Sequence, residues 1–128
     1  MTIPPATPKI RIHAEPEFLP DHSDAEAGRY TFAYTITISN EGDIPLQLLE
    51  RYWLITNGDG EHSEVKGSGV VGQQPRIEPG RSFKYSSSAS FVTPVGFMEG
   101  FYLMADDDGR KYQVSIPPFR LALPGQLH

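Results

Sequence analysis

Between residues 30 and 39 the chain alternates without a break. Tyr30, Phe32, Tyr34, Ile36 and Ile38 fall on one side, and Thr31, Ala33, Thr35, Thr37 and Ser39 on the other. A period of two, carried by β-branched and aromatic residues, predicts a half-buried strand. Residues 81–91 repeat the pattern, with Phe83, Tyr85, Ala89 and Phe91 against Ser82, Lys84, Ser86, Ser88 and Ser90. Other segments are less regular. Ile10, Ile12 and Phe18 predict a first strand, bent or interrupted at Pro16, which suits a sheet edge. Residues 46–56 place apolar side chains in both phases, Leu48 beside Leu49 and then Tyr52-Trp53-Leu54-Ile55. A central strand reads this way when it carries a bulge or is covered on both faces. Asn57-Gly58-Asp59-Gly60 is a tight-turn signal, so residues 61–66 return as a short polar strand. Residues 101–105 and 111–116 flank Asp106-Asp107-Asp108-Gly109 as a second hairpin. Pro117-Pro118 then breaks the ladder, and Phe119, Leu121 and Leu123 resume alternation in a last strand. No segment sustains a helical period.

About seven or eight short strands, punctuated by Gly and Pro, predict an all-β fold: an antiparallel two-sheet sandwich. Trp53, on the third strand, resembles the buried tryptophan of immunoglobulin-like sandwiches and is expected between the sheets. With no cysteine to form the disulfide of antibody domains, the pattern resembles the fibronectin type III variety. The 128 residues read as one domain with its core at about 9–123, frayed ends at 1–8 and 124–128, and a polar loop at 20–28. Twelve glycines and twelve prolines are too much punctuation for a helical bundle. The absence of cysteine excludes a Cys-based zinc site, an iron–sulfur cluster and a cysteine nucleophile. A net charge of −5 argues against nucleic acid and anionic membrane as partners. The start of the chain lacks the basic and apolar regions of a signal peptide, and Phe101-Tyr102-Leu103-Met104-Ala105 is far short of a bilayer span. The expectation is a cytoplasmic protein without membrane insertion.

Candidate chemistry concentrates in Gly67-Ser68-Gly69-Val70-Val71-Gly72, which fits G-x-G-x-x-G. The dinucleotide fingerprint needs a helix after the glycines, since its N-terminus holds the pyrophosphate. Here Pro75 and Pro79-Gly80 follow, so no helix is available. A Walker loop is excluded as well, for no Lys-Ser/Thr pair follows. Two readings remain open. The glycines serve backbone geometry alone, or the loop's N–H groups form an anion-accepting concavity flanked by Lys66 and Arg76. Val70 and Val71 add a further question. On a surface loop they suggest contact with a protein partner, whereas an apolar pair folded inward plugs the end of the sandwich.

Asp106-Asp107-Asp108-Gly109 lacks the alternate spacing and distant Glu of a calcium loop, and suits a hairpin tip. His22 with Asp21, Asp24 and Glu26 has metal-ligating residue types but sits in the predicted 20–28 loop, so no metal site and no cofactor is expected. Ser86, Ser87, Ser88 and Ser90 lie on a strand, without the G-x-S-x-G elbow of a serine hydrolase.

Lys66-Gly67-Ser68-Gly69-Val70-Val71-Gly72-Gln73-Gln74-Pro75, followed by Ile77-Glu78-Pro79-Gly80 and Tyr85-Ser86-Ser87, resembles the ApaG family. So do Tyr34-Thr35-Ile36-Thr37-Ile38, Leu46-Gln47-Leu48-Leu49, Arg51-Tyr52-Trp53, Gly96-Phe97-Met98-Glu99-Gly100-Phe101-Tyr102 and Ile116-Pro117-Pro118-Phe119. The resemblance spans about residues 9–123. It implies a fibronectin-type-III-like sandwich with no established catalytic residue. It also implies a link to magnesium and cobalt homeostasis, reflected in the alternative name CorD, and a protein-interaction role like that of the same domain in eukaryotic F-box proteins. The leading expectation is therefore a non-enzymatic module that binds a protein partner, with Lys66, Gly67, Gly69, Val70, Val71, Gly72 and Arg76 as candidate recognition residues. The alternative is a nucleotide or pyrophosphate sensor at residues 67–72.

Overall fold

A computed structural model describes residues 8–125; the frayed ends expected at 1–8 and 124–128 fall largely outside them. Eight strands follow in order: β1 (Ile10–Phe18), β2 (Tyr30–Asn40), β3 (Leu46–Asn57), β4 (His62–Ser68), β5 (Arg76–Ile77), β6 (Ser82–Phe91), β7 (Val95–Ala105) and β8 (Lys111–Ala122). They form two antiparallel sheets, one in the order β1-β2-β6 and the other β4-β3-β7-β8, with β5 paired to the start of β3. The only helical turn among the described residues is Pro20–His22, inside the 20–28 loop.

Alternation places the core. Phe32, Tyr34, Ile36 and Ile38 of β2 are buried against Trp53 of β3, Met98, Tyr102 and Met104 of β7, and Ile116 and Leu121 of β8. Trp53 is only 2% exposed. Its indole meets the rings of Tyr34, Phe119 and Tyr102 edge-on, at centroid separations of 5.7, 5.9 and 6.4 Å. Such edge-to-face contacts suit the ring quadrupole and add to the area buried. Asn40, buried at the end of β2, donates from Nδ2 to the carbonyls of Ile44 and Ile77 and accepts from Gly42 N–H. It ties the β2–β3 connection to β5 with its polar atoms bonded on both sides.

Two strands differ from the sequence pattern. β7 begins at Val95, six residues before the expected 101, because Gly96 interrupts its apolar run. A Cβ at Gly96 would stand 2.3 Å from the Phe91 ring, so that ring takes the space a side chain would need. Pro117-Pro118 does not end the ladder. β8 is continuous and absorbs both prolines in a register shift, Met98 opposite Phe119 and Gly100 opposite Ile116. As an edge strand it has, among the described residues, no outer neighbour waiting for the missing N–H groups. The bulge expected in residues 46–56 lies between Leu48 and Glu50.

The sandwich has two unlike sides. Along one, β1 packs against β8. Along the other, the edge strands β6 and β4 are not paired, and two clefts open between the sheets.

Candidate functional site

The 67–72 segment is a small hairpin tip seated on the β3 bulge. Val70 N–H donates to Gln73 O at 2.8 Å and Gln73 N–H returns to Val70 O at 2.9 Å. Between them Val71 and Gly72 both have positive φ, 42° and 79°, the backbone of a type I′ turn. Such turns favour Gly, Asn or Asp; a β-branched valine at positive φ is strained. The base is fixed: Leu49 O, exposed by the bulge, accepts from Gly69 N–H at 2.8 Å and from Gln74 Nε2 at 3.0 Å. Gly69, at φ 60°, leaves no room for a side chain, since a Cβ there would lie 2.2 Å from Gln73 O.

The two valines part company. Val70 is 1% exposed and belongs to the core, whereas Val71 is 53% exposed at the tip. Lys66 and Arg76, the charges expected to flank the loop, both lie elsewhere. Lys66 pairs with Tyr52 on the outer face of the sheet, its Nζ 5.8 Å from the centre of that ring. Arg76 grips Asp107, with Nη2 to Oδ2 at 2.7 Å and Nε to Oδ1 at 3.2 Å, and also pairs with Glu78. Neither is available to a ligand beneath the loop.

The cation that does sit there is Arg51. It shares the inward phase of Trp53 and lies opposite Gly67 in the ladder. A Cβ on Gly67 would be 2.6 Å from its Nη1, so this glycine makes room for the guanidinium. Nη1 donates to Ser68 O at 3.1 Å and Gly69 O at 3.0 Å, clamping the strand into the tip. Under the loop, a cleft of about 320 Å³ is lined by Arg51, Trp53, Tyr34, Tyr85, Ser87, Ser68 and residues 70–72. Its size lies at the lower end of small-ligand sites, about 300–1,000 Å³.

Three phenols gather beside it. The hydroxyls of Tyr85 and Tyr102 share a short hydrogen bond between the two sheets. Burial pushes all three, Tyr34, Tyr85 and Tyr102, above the ordinary phenol value, and nearby Arg51 only partly offsets this. All three are therefore neutral at physiological pH. The second cleft on this side is about 340 Å³ around Ile55, His62, Ser90 and Phe91, and several of its polar side chains are hydrogen-bonded within the protein. Thr56 Oγ1 meets His62 Nδ1 at 2.9 Å, and Asn57 Nδ2 donates to Glu61 at 2.9 Å.

The acidic candidates are engaged locally. Asp106 accepts from the Asp108 and Arg110 amides and from the Tyr112 hydroxyl. Desolvation raises its pKa, but these hydrogen bonds outweigh it and hold the carboxyl below its ordinary value. Among the described residues no three His, Asp or Glu side chains converge as metal ligands, and no helix is long and apolar enough to cross a membrane. Sequence reasoning passed over Arg51, Tyr34, Tyr85 and Ser87 as site residues. The signal for Arg51 was present: it is a cation in core phase, two positions before Trp53.

Comparison with known proteins gives a consistent result. The ApaG domain family matches residues 20–106. The chain is 53% identical over 120 residues to protein ApaG of Pseudomonas putida (strain W619), covering 94% of this chain and 95% of that one. It is 49% identical over 120 residues to protein ApaG of Dechloromonas aromatica (strain RCB), covering 94% of each. A crystal structure described as an ApaA protein of Bordetella pertussis superposes with a TM-score of 0.91 at 39% identity, over 96% of this chain and 100% of the other.

Proposed function

Because the chain belongs to the ApaG family, and none of the relatives just named bears an enzyme's name, we propose that it is a non-enzymatic module that binds a protein partner with its 67–72 loop. The observation that carries this reading is Val71. It is apolar, about half exposed, and held at φ 42° on a loop whose base is hydrogen-bonded into the β3 bulge. A glycine would relieve the strain, and burial in the isolated chain does not repay it. Contact with a partner supplies a reason for an apolar side chain at a rigid, exposed tip. Loop amides and glycines shape this tip, and Val71 is the side chain it presents. The family's association with Mg²⁺ and Co²⁺ then acts through the partner rather than through a metal bound by this chain.

The alternative, a nucleotide or pyrophosphate sensor, draws on the cation beneath the loop. Against it stand the loop amides of Gly69, Val70 and Gln73, all of which donate within the chain, and a single arginine to face a multiply charged ligand. The test is Val71→Gly. Relief of strain raises stability by up to about 1 kcal/mol, while capture of the partner from host lysate falls. A more stable protein with undiminished capture would remove Val71 from the recognition surface.

A further inference from the structure

Half-buried cations are ordinarily paired with carboxylates. Arg51 is not. Among the described residues it forms no ion pair, and its hydrogen bonds are the two from Nη1 to backbone carbonyls. Among the described residues that leaves Nε and Nη2, the side-on fork of the guanidinium, without partners, yet neither is sealed off from solvent without a hydrogen bond. Arg51 lines the 320 Å³ cleft, and among the described residues that line it with Arg51 none is acidic.

We propose that the cleft beneath the 67–72 loop is a binding site for a carboxylate carried on a compact apolar group, with Arg51 as its charged anchor. The planar Nε/Nη2 fork matches a carboxylate bidentately. Tyr34 and Ser87 line the same cleft and bring neutral hydroxyl-bearing side chains to it, and Trp53 and Val70 supply the apolar wall. Charge selects the ligand class. One arginine balances a carboxylate, whereas a phosphate dianion or pyrophosphate would be left under-compensated, with Lys66 on the opposite face and Arg76 held by Asp107. Because burial keeps the neighbouring phenols protonated, the described residues that line the cleft carry no fixed anion to compete for the guanidinium. Val71 stands at the rim, so a ligand in the cleft touches the tip proposed as the recognition surface. The inference deepens that reading and is tested without any protein partner, so the two can fail separately.

Trp53 is the only tryptophan in the chain and lines the cleft, so its fluorescence reports on this site. The full chain is titrated with isovalerate, with an acetylated tripeptide ending in valine as the free acid and as the C-terminal amide, and with inorganic phosphate and pyrophosphate. Saturable change is expected with a carboxylate, at least about tenfold tighter than with the amide or phosphate. Tighter binding of the tripeptide acid assigns the site to a chain terminus; tighter binding of isovalerate assigns it to a free small acid. Arg51→Gln is expected to weaken binding at least about tenfold. Since that variant also loosens the loop clamp, Ser87→Val provides the independent arm: it leaves Arg51 in place, narrows the cleft and is expected to weaken binding by a similar factor. The proposal is overturned if no carboxylate saturates, if phosphate or pyrophosphate binds more tightly, or if Ser87→Val binds as the parent does.

Discussion

Two glycine-bearing turns attract attention in this sequence, the acidic 106–109 turn and the 67–72 loop, and the structure treats them in opposite ways. The acidic turn satisfies itself. Asp106 accepts from two amides and a phenol, and Asp107 takes the Arg76 guanidinium. The 67–72 loop has its base hydrogen-bonded into the sheet, but leaves an exposed strained valine above and, beneath, an arginine with no ion pair among the described residues. Residue type alone favours the aspartates as a site; unused bonding capacity favours the loop. Arg76 makes the contrast concrete, since the charge expected beside the loop is the one that quiets the acidic turn.

The largest effect that can break this comparison is at the cleft wall. Trp53→Ala removes an indole packed by Tyr34, Tyr102 and Phe119 and should cost about 3–5 kcal/mol in urea unfolding. An unchanged unfolding midpoint would mean that the two sheets do not meet on this residue.

Next comes the valine pair. Val70→Asp places an unpaired charge at a buried position and should destabilise the chain by about 2 kcal/mol or more. Val71→Asp, at the exposed tip, should stay within about 0.5 kcal/mol of the parent. Equal losses in the two variants would show that the tip folds inward.

Alkaline pH probes the phenols that separate the cleft from the core. Burial raises Tyr85 and Tyr102 above their ordinary 10.0, and their mutual hydrogen bond lowers Tyr85 while raising Tyr102. The folded chain thus holds these protons more tightly than the unfolded one. Their contribution to stability is fully present below the unfolded value and is lost as pH rises through the raised folded values. Tyr85→Phe should flatten the decline in unfolding free energy between about pH 9 and about pH 11. A decline as steep as the parent's would place the Tyr85 hydroxyl in solvent.

How much of this was legible follows from where the pattern is undisturbed. β2 and β6 were readable because their neighbours demand strict alternation. β7 was read six residues short because its Gly96 yields its place to the Phe91 ring, and the continuity of β8 through Pro117-Pro118 depends on its being an edge, which is a property of topology. The loop was found from its glycines, but its cation was sought beside it in sequence. Arg51 reaches it across the β3–β4 ladder, sixteen residues from Gly67, a distance that only pairing removes. Tyr34 and Tyr85 are readable as core positions; that they also line a cleft depends on the gap between β4 and β6.

The smallest expected effect sharpens the other half of the comparison. Asp107→Asn breaks an exposed ion pair with Arg76 and should change stability by no more than about 0.5 kcal/mol. A loss several times larger would make the acidic turn a structural keystone rather than a self-contained tip.

The most direct measurement sets the two turns side by side: quantitative capture from host lysate with the parent chain, Val71→Asp and Asp107→Asn as baits, each first shown to be folded. Recognition through the 67–72 loop predicts that a partner retained by the parent and by Asp107→Asn is lost with Val71→Asp. Retention by Val71→Asp together with loss by Asp107→Asn would contradict it and move the recognition surface to the acidic turn.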